Sequence, residues 1–386
     1  MLLTGSGRLV PAGLSPWALL VRDGRIAWIG SPSDAPQAER VDLGSALVTP
    51  GLVDSHTHPC FAGDRSDEAA ARLEGAPYTD GGILRTVRAT RDADDTTLEM
   101  LVEARLIAAL AAGTTTGECK SGYGLTLDEE LRHLRIIGRV ADRLPIKVVP
   151  TFLGAHAVPP DADSMEDYAA MVADDMIPAM ARESLAEFVD VFVDEGFFDL
   201  AAAERIGRAA SAAGLGLRLH AEQLRRTGAV ELGVRLGAAS VDHLEQVDPH
   251  GVAVLAASDT VATLLPGPAI VLRDRLPPAR ALLDSGARVA LATDANAGTF
   301  SGFGAMPLVI GLGATLLGMS VTEALSAATS GGAAALRRDE LGALQPGSAA
   351  DLVAWDAEHE GAFVLRLGSV RPSRIWISGV EIALSD

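Results

Sequence analysis

The feature that most constrains the fold is an alternation of short apolar, β-branched runs with helix-forming stretches through the middle of the 386-residue chain. The eight runs lie at residues 46–54, 113–119, 146–153, 188–194, 215–220, 239–243, 260–265 and 287–293. Between most of them lie stretches rich in Ala, Leu, Arg and Glu, at residues 98–112, 128–142, 200–213 and 279–285. Strands that alternate with helices indicate βα units and a parallel sheet. Because open sheets usually have fewer strands, eight runs predict a closed (β/α)8 barrel.

Both ends of the chain have β character without intervening helices. Residues 18–22 and 25–29 flank Asp23-Gly24, a strong hairpin signal, and residues 351–355 and 374–377 are also β-rich. We therefore predict an α/β protein with two domains. A composite β-sandwich is expected from residues 1–47 and 345–386, and the barrel from residues 48–344.

Charge and cysteine content limit the partners and the compartment. The formal net charge of −19 argues against nucleic acid and anionic membrane surfaces, because a field of that sign repels phosphate. Cys60 and Cys119 cannot form a disulfide framework, no secretory signal opens the chain, and a cytoplasmic location is expected. Residues 295–322 carry no formal charge, but polar residues and glycines interrupt them. A loop followed by a buried helix is predicted there, rather than a membrane span.

Candidate metal ligands lie where predicted strands end. His56 and His58 follow the first strand, and two residues that are two apart on a strand point to the same face. His220 ends the fifth strand and Asp294 ends the eighth. An isolated His-x-His pair also occurs by chance in loops. Three imidazoles and a carboxylate together predict a site for one divalent metal, Zn²⁺ or Fe²⁺.

Several motifs resemble those of the amidohydrolase superfamily. Residues 48–58, Val-Thr-Pro-Gly-Leu-Val-Asp-Ser-His-Thr-His, are similar to its first signature, and residues 341–352 to its return into the terminal sandwich. Further matching motifs lie at residues 61–65, 81–91, 120–125, 152–159, 242–245 and 293–299. The likeness runs nearly end to end and is greatest to members that act in histidine degradation.

The resemblance implies a reaction and a set of site residues. The reaction is hydrolysis of 4-imidazolone-5-propanoate to N-formimidoyl-L-glutamate, which opens a cyclic amide at its carbonyl carbon. One divalent metal, zinc or iron, is expected on His56, His58, His220 and Asp294, and the protein is expected to be a homodimer. Substrate contacts are expected from Arg65, Tyr123, His156, Gln223, Asn296, Gly298 and Thr299.

The chemistry of these residue types agrees with a substrate that carries a propionate. Arg65 offers the planar fork that binds a carboxylate bidentately. Tyr123 lies in a glycine-flanked loop before a capping box at residues 126–129, where its phenol can donate to a carboxylate. His156 is expected to bond the ring carbonyl or the carboxylate.

The loop after the eighth strand is expected to contact the substrate ring. Asn296 offers a donor and an acceptor to the two ring nitrogens, and Gly298 and Thr299 let the backbone approach the ligand closely. One departure from the family pattern is Ala297, which stands where proline is usual and is expected to loosen this loop.

Three residues are candidates for proton transfer. His243, at the end of the sixth strand, is predicted to be the general base and proton shuttle; orienting the carbonyl or joining the metal shell are its alternatives. Asp294 is predicted to carry a proton between water and the leaving nitrogen. Glu195 ends the fourth strand and is predicted to assist the base, with a helix-cap or hinge role as its alternative.

Gln223 discriminates among the alternatives. Related deaminases carry a Glu three residues after the fifth-strand histidine to shuttle protons, and a glutamine cannot do so near neutral pH. The remaining alternatives are a deaminase nonetheless, or another amidohydrolase acting on a carboxylate-bearing cyclic amide or imine. A barrel that serves only as a scaffold would be marked by a missing metal ligand, and none is missing.

Overall fold

A computed structural model describes residues 1–75 and 81–383 of the chain. In chain order, the strands of this part of the chain are β1 (Leu2–Gly5), β2 (Trp17–Arg22), β3 (Arg25–Gly30), β4 (Arg40–Asp42), β5 (Val48–Pro50), β6 (Leu52–Asp54), β7 (Thr114–Lys120), β8 (Lys147–Ala155), β9 (Phe188–Val193), β10 (Gly216–Ala221), β11 (Ser240–His243), β12 (Val261–Leu264), β13 (Val289–Leu291), β14 (Leu352–Trp355), β15 (Pro372–Ile377) and β16 (Val380–Ile382). The helices are α1 (Ser66–Leu73), α2 (Gly81–Asp92), α3 (Asp95–Ala111), α4 (Leu127–Ala141), α5 (Met165–Met171), α6 (Ile177–Arg182), α7 (Leu200–Ala212), α8 (Ala229–Arg235), α9 (Pro249–Ala256), α10 (Pro266–Leu272), α11 (Ala279–Asp284), α12 (Met306–Leu316), α13 (Val321–Ser326), α14 (Gly332–Ala335) and α15 (Ala362–Leu365).

Strands β6 to β13 form one sheet in sequence order, each parallel to the next. The sheet closes just beyond its first and last strands. There the Asp294 amide donates to the His56 carbonyl at 3.0 Å, and the His58 amide donates to the Ala295 carbonyl at 2.9 Å. The predicted (β/α)8 barrel is therefore confirmed, and each of the eight predicted runs contributes one barrel strand.

The first predicted run does not form a single strand. Its β5 portion pairs antiparallel with β14 in a terminal sheet, whereas β6 pairs with β7 in the barrel. Gly51 lies between them, and a Cβ atom there would overlap the side chain of Thr115. The glycine allows the backbone to pass close to β7 as it changes sheets. The run at residues 46–54 therefore contains two strands, of which only β6 belongs to the barrel.

Two four-stranded sheets, β3-β2-β1-β4 and β16-β15-β14-β5, combine the two ends of the chain. Asp23 and Gly24 both have positive φ, 50° and 73°, which confirms the predicted β2–β3 hairpin. Trp17 and Leu19 of the first sheet share a buried cluster with Leu352 and Trp376 of the second. The exact domain boundaries remain a proposal, and residues 384–386 of the second segment lie outside the described residues.

Local sequence explains where several helices begin. Asp94 accepts a hydrogen bond from the Thr97 amide at the start of α3, so the acidic cluster at residues 92–95 caps this helix.

The tract at residues 295–322 contains a loop followed by the largely buried α12, as predicted. Across the described residues, no helix combines the length and the apolar character needed to cross a bilayer.

Candidate metal centre and active site

Four predicted ligands converge at the carboxyl end of the barrel. The Nε2 atom of His56 lies 3.2 Å from the Nε2 atoms of both His58 and His220. Oδ1 of Asp294 lies 3.3 Å from His58 Nε2 and 3.5 Å from His56 Nε2. All four residues are buried. The barrel produces this convergence because parallel strands deliver their last residues to one mouth.

The spacing and the tautomers of these groups fit a metal ion. Donors held about 2.0 to 2.1 Å from one tetrahedral centre lie about 3.3 Å apart, close to the separations observed here. His56 Nδ1 lies 2.7 Å from Asp242 Oδ2, and His220 Nδ1 lies 3.1 Å from Asp190 Oδ1. A carboxylate only accepts, so each Nδ1 carries the proton and each Nε2 presents a lone pair to the centre. This donor set fits a metal ion.

A buried charge network behind the ligands was not predicted. Lys120 Nζ lies 2.7 Å from Glu118 Oε1 and 2.8 Å from Asp190 Oδ2. Arg218 donates to Asp242 Oδ2 at 2.9 Å, so both carboxylates that orient a histidine also contact a cation. Although burial alone would lower the pKa of Lys120, Asp190 and Glu118 raise it. A sequence signal exists: Glu118 and Lys120 are two apart on β7, and Arg218 and His220 are two apart on β10, so each pair points to one face of its strand.

His243 lies at the edge of the metal site and contacts a carboxylate on each side. Its Nε2 is 4.0 Å from Asp294 Oδ2, and its Nδ1 is 3.6 Å from Glu245 Oε1. Burial opposes the charged form, but Glu245, and then Asp294 and Asp242, raise the pKa of His243 above its usual value. His243 and Asp294 both have positive φ, 85° and 48°, a conformation that is costly outside glycine and concentrates at active sites.

The structure does not bring Glu195 into the site. Its side chain is 75% exposed and lies 3.1 Å from Arg225 at the surface. The neighbouring Asp194 is buried instead, where its oxygens accept the amides of Leu224 and Arg225. Strand β9 ends at Val193, so Glu195 lies in the turn that follows it, where its side chain is exposed. Glu245 occupies the position beside the base that was predicted for Glu195.

Arg65 lines the pocket, but its fork already contacts protein. Nε and Nη2 donate to the two carboxylate oxygens of Glu68 at 2.8 and 2.6 Å. Cβ atoms at Gly82 or Gly298 would overlap the Arg65 guanidinium, so both glycines allow the backbone to approach it. The close approach expected of Gly298 is thus toward Arg65. The guanidinium edge that was predicted for the substrate carboxylate is held by Glu68.

The loop between β7 and α4 holds Tyr123 and fixes His156. The buried Glu130 carboxylate accepts the amides of Gly122, Gly124 and Leu125 at 2.8–2.9 Å. His156 Nδ1 lies 2.8 Å from the Gly122 carbonyl, so this nitrogen carries the proton and Nε2 is an acceptor. Burial, followed by the charges of His58 and His220, holds the pKa of His156 well below its usual value.

Asn296 organises its own loop. Its Nδ2 donates to the Asp294 carbonyl and to Thr299 Oγ1, both at 2.7 Å. Its Oδ1 accepts the amides of Gly298 and Thr299 at 2.7 and 2.8 Å. These four bonds use the whole amide, so the predicted bonding to two ring nitrogens does not match this arrangement. Ala297 donates to the Tyr123 hydroxyl at 3.4 Å, a bond that proline could not make.

One cavity of about 30 Å³ collects most of the predicted residues. Its lining includes His58, Arg65, Tyr123, His156, His220, Gln223, His243, Asp294, Asn296 and Thr299. Gln223 therefore faces the metal ligands, whereas the adjacent Glu222 bonds Arg226 and the Gly228 amide. Cys60 is buried, and burial raises the pKa of its thiol to about 12, which agrees with a structural role.

Residues 172–382 match the model of the amidohydrolase family. An imidazolonepropionase from Nocardia farcinica is 44% identical over 98% of this chain and 97% of its own length. A second, from Salinispora tropica, is 50% identical over 88% of this chain and 86% of its own.

Solved structures share the fold at much lower identity. A 5-methylcytosine deaminase from Klebsiella pneumoniae, liganded with 5-fluorocytosine, aligns over all of this chain and 98% of its own, with a TM-score of 0.79 and 17% identity. A zinc-bound adenosine deaminase from Xanthomonas campestris aligns over 98% of this chain and 92% of its own, with a TM-score of 0.71 and 19% identity.

Proposed function

The chain belongs to the amidohydrolase family and, within it, to the imidazolonepropionases, and on this premise we propose that it hydrolyses 4-imidazolone-5-propanoate to N-formimidoyl-L-glutamate. The reaction breaks the bond between the ring carbonyl carbon and a ring nitrogen. Water adds a hydroxyl group to the carbon and a proton to the departing nitrogen. The observation that carries the proposal is the convergence of His56, His58, His220 and Asp294 beside a cavity lined by His243.

We propose that the four ligands hold one divalent ion, zinc or iron. When bound, such an ion would supply Lewis-acid chemistry, polarising a carbonyl and lowering the pKa of water toward 7. Neutral imidazoles with a single carboxylate suit both metals. The buried Asp190 and Asp242 hold the two histidines in the ligating tautomer.

The protein's own groups account for proton transfer. In this proposal His243 takes a proton from the attacking water and returns it to the leaving nitrogen. The neighbouring Glu245 and Asp294 support this role because both favour the protonated form of His243. Asp294 takes part in the same proton transfer, because its Oδ2 lies 4.0 Å from His243 Nε2. Exposed Glu195 has no part in this scheme.

We propose that different side chains bind the ring and the carboxylate of the substrate. His156 presents Nε2 as an acceptor, so it suits a ring N–H rather than the carbonyl or carboxylate expected earlier. Gln223 offers both a donor and an acceptor to the ring. Tyr123 and Thr299 have hydroxyls at the cavity, and Arg65 contributes positive charge. Asn296 and Gly298 support these groups by shaping the loop and by making room for Arg65.

Gln223 also weighs against the deaminase alternative. The solved neighbours include deaminases, but at 17–19% identity they bear on the fold alone. We further propose that the protein acts in the cytoplasm as a homodimer and has no nucleic acid partner, in line with its net charge of −19.

The test is turnover of freshly prepared 4-imidazolone-5-propanoate by protein of measured metal content, with the product identified by mass. The substrate is labile, so a reaction without enzyme is required. His220→Ala, which removes one ligand, is expected to lose both metal and activity. Product formation that is unaffected by removal of the metal would overturn the mechanism. If fully metal-loaded protein forms no product, the family stands and the substrate assignment fails.

A further inference from the structure

A second cavity, of about 620 Å³, lies against the catalytic one. Arg65 and Thr299 line both cavities and so form the wall between them. The outer cavity also has Phe61, Arg105 and Phe303 in its lining. The catalytic cavity, at about 30 Å³, is much the smaller of the two. A ligand moving between solvent and the metal site therefore has the outer cavity as its adjoining space.

Arg105 is fixed in the outer cavity by contacts that use only part of its guanidinium. Nη1 donates to the carbonyls of Pro59 and Phe61 at 2.6 and 2.7 Å. The guanidinium carbon lies 3.5 Å from the centre of the Phe61 ring and 5.4 Å from that of Phe303. These contacts orient the plane of the group and leave the edge formed by Nε and Nη2, for which residues 1–75 and 81–383 provide no acceptor.

The charges around this edge do not neutralise it. Arg105 forms no ion pair within the described part of the chain. Asp64, the acidic residue in the cavity lining, accepts the Ser66 amide at 2.8 Å, and Glu68 binds Arg65 and Arg72. Burial lowers the pKa of Arg105 to about 10, which leaves it charged at neutral pH. The cavity thus contains a preoriented cation without an acidic partner.

We propose that Arg105 binds carboxylates in the outer cavity and receives the anionic ligand as it passes between solvent and the catalytic pocket. The Nε–Nη2 edge matches a carboxylate bidentately, and Phe61 and Phe303 offer apolar surface to the attached carbon chain. The identity of the ligand rests on the proposed function. Both the substrate, with one carboxylate, and the ring-opened product, with two, have the required chemistry.

Ala108 permits a test that leaves Arg105 and its backbone contacts intact. It lines the same cavity, is exposed, and lies three residues after Arg105 on α3, so the two side chains share a helix face. Ala108→Glu places a carboxylate where it competes for the Arg105 edge. Ala108→Gln has nearly the same shape without the charge. Arg288→Gln, at the opposite end of the barrel, controls for the loss of one surface arginine.

The first measurement is calorimetric titration with glutarate, a stable dicarboxylate, which requires no turnover. We expect Ala108→Glu and Arg105→Gln to bind glutarate at least about fivefold more weakly than Ala108→Gln and Arg288→Gln do. Equal affinities in all four variants, or no binding to the unaltered protein, would overturn the proposal. This result is readable even if the unaltered enzyme fails to turn over 4-imidazolone-5-propanoate, which would refute the proposed function separately.

Steady-state kinetics then distinguish the two sources of the carboxylate. If the substrate uses the site on entry, KM in Ala108→Glu rises several-fold over Ala108→Gln. If the product uses it on exit, inhibition by added N-formimidoyl-L-glutamate weakens instead. Unchanged KM and unchanged product inhibition in an active enzyme would show that Arg105 has no part in ligand passage.

Discussion

At the scale of single residues, the pair of His243 and Glu245 has the most direct consequence for catalysis. Glu245 is buried, and within the described part of the chain neither of its oxygens has a conventional hydrogen bond. Its closest charged contact is His243 Nδ1 at 3.6 Å. A buried carboxylate in this position stabilises the imidazolium that forms when the histidine takes a proton. Glu245 is therefore a positioning residue for the proposed base.

Replacing this carboxylate separates its role from that of Glu195. We expect Glu245→Gln to lower kcat by about 10- to 100-fold, the effect typical of losing a group that orients a functional side chain, with a smaller change in KM. Glu195→Gln should stay within about twofold of the unaltered enzyme, because its side chain lies at the surface. Steady-state kinetics of both variants provide the check, and the reverse order of effects would restore Glu195 as the base's partner.

His133 predicts how stability depends on pH. It is buried on α4, neither ring nitrogen has a hydrogen bond to any described residue, and burial, followed by the nearby Arg132, lowers its pKa to about 3. The unfolded chain, with a histidine pKa near 6.5, binds the proton more readily. His133 therefore costs stability as the pH falls below about 6.5, by up to about 1.4 kcal/mol per pH unit.

We expect His133→Leu to remove this part of the acid sensitivity. Urea unfolding at pH 7.5, 6.5, 5.5 and 5.0 measures the free energy of unfolding of both proteins. We expect this free energy to increase in the variant relative to the unaltered protein only at the lower pH values. Parallel stability curves across this range would mean that His133 does not titrate with unfolding.

At the scale of elements, Glu130 holds the loop between β7 and α4. Its oxygens accept three backbone amides around Tyr123, so an amide in its place turns an N–H toward another N–H. We expect Glu130→Gln to lower the free energy of unfolding by about 1 to 3 kcal/mol, the usual cost of a buried unmet group. KM should rise as Tyr123 loses its fixed position.

Denaturant unfolding and steady-state kinetics check the Glu130 prediction together. Glu129→Gln is a suitable control, because Glu129 lies on the same turn but bonds Arg132 on a more exposed face. A variant at Glu130 that is destabilised with KM unchanged would show that the loop is held by other contacts.

The sequence predicts the barrel strands well because hydrophobic runs and strand ends are local features. His56, His220 and Asp294 could be placed at one mouth because closure of a parallel barrel forces their strand ends together. Glu195 was misplaced because β9 ends at Val193, and the turn after it buries Asp194 and exposes Glu195. Strand β5 was missed because the change of sheet at Gly51 depends on tertiary contact with Thr115.

The hydrogen bonds that tune the site could not be predicted from local sequence patterns. Whether Arg65 meets a ligand or Glu68, and whether Asn296 bonds a ring or its own loop, depends on backbone geometry that no motif records. The charges on Glu118, Lys120 and Arg218 are visible in the sequence, but their pairing follows from the register between neighbouring strands. The sequence alone could therefore identify these residues as inward-facing charges, but it could not show which of them pair.

At the scale of the whole molecule, the metal is expected to add to stability as well as to activity. A ligand that binds only the folded state stabilises it by RT ln(1 + [L]/Kd), about 4 kcal/mol at a thousandfold excess over Kd. Removal of the metal should therefore lower the melting temperature, and reloading with zinc or iron should restore it. Calorimetry of the two forms tests this.

The control for metal removal is His220→Ala. This variant should melt at nearly the same temperature with and without added metal, because it lacks one of the four converging ligands. If metal raises its melting temperature as much as that of the unaltered protein, the ion binds elsewhere.

The seam that closes the barrel determines at which stage of synthesis and folding the site can form. Its two backbone hydrogen bonds join His56 to Asp294 and His58 to Ala295, so the ligand segments themselves form the seam. A polypeptide still on the ribosome can display all three histidines, yet it has no complete donor set until the eighth strand emerges and docks. The four-ligand set is thus completed by closure of the ring, and we expect the ion to bind only after the eighth strand has docked.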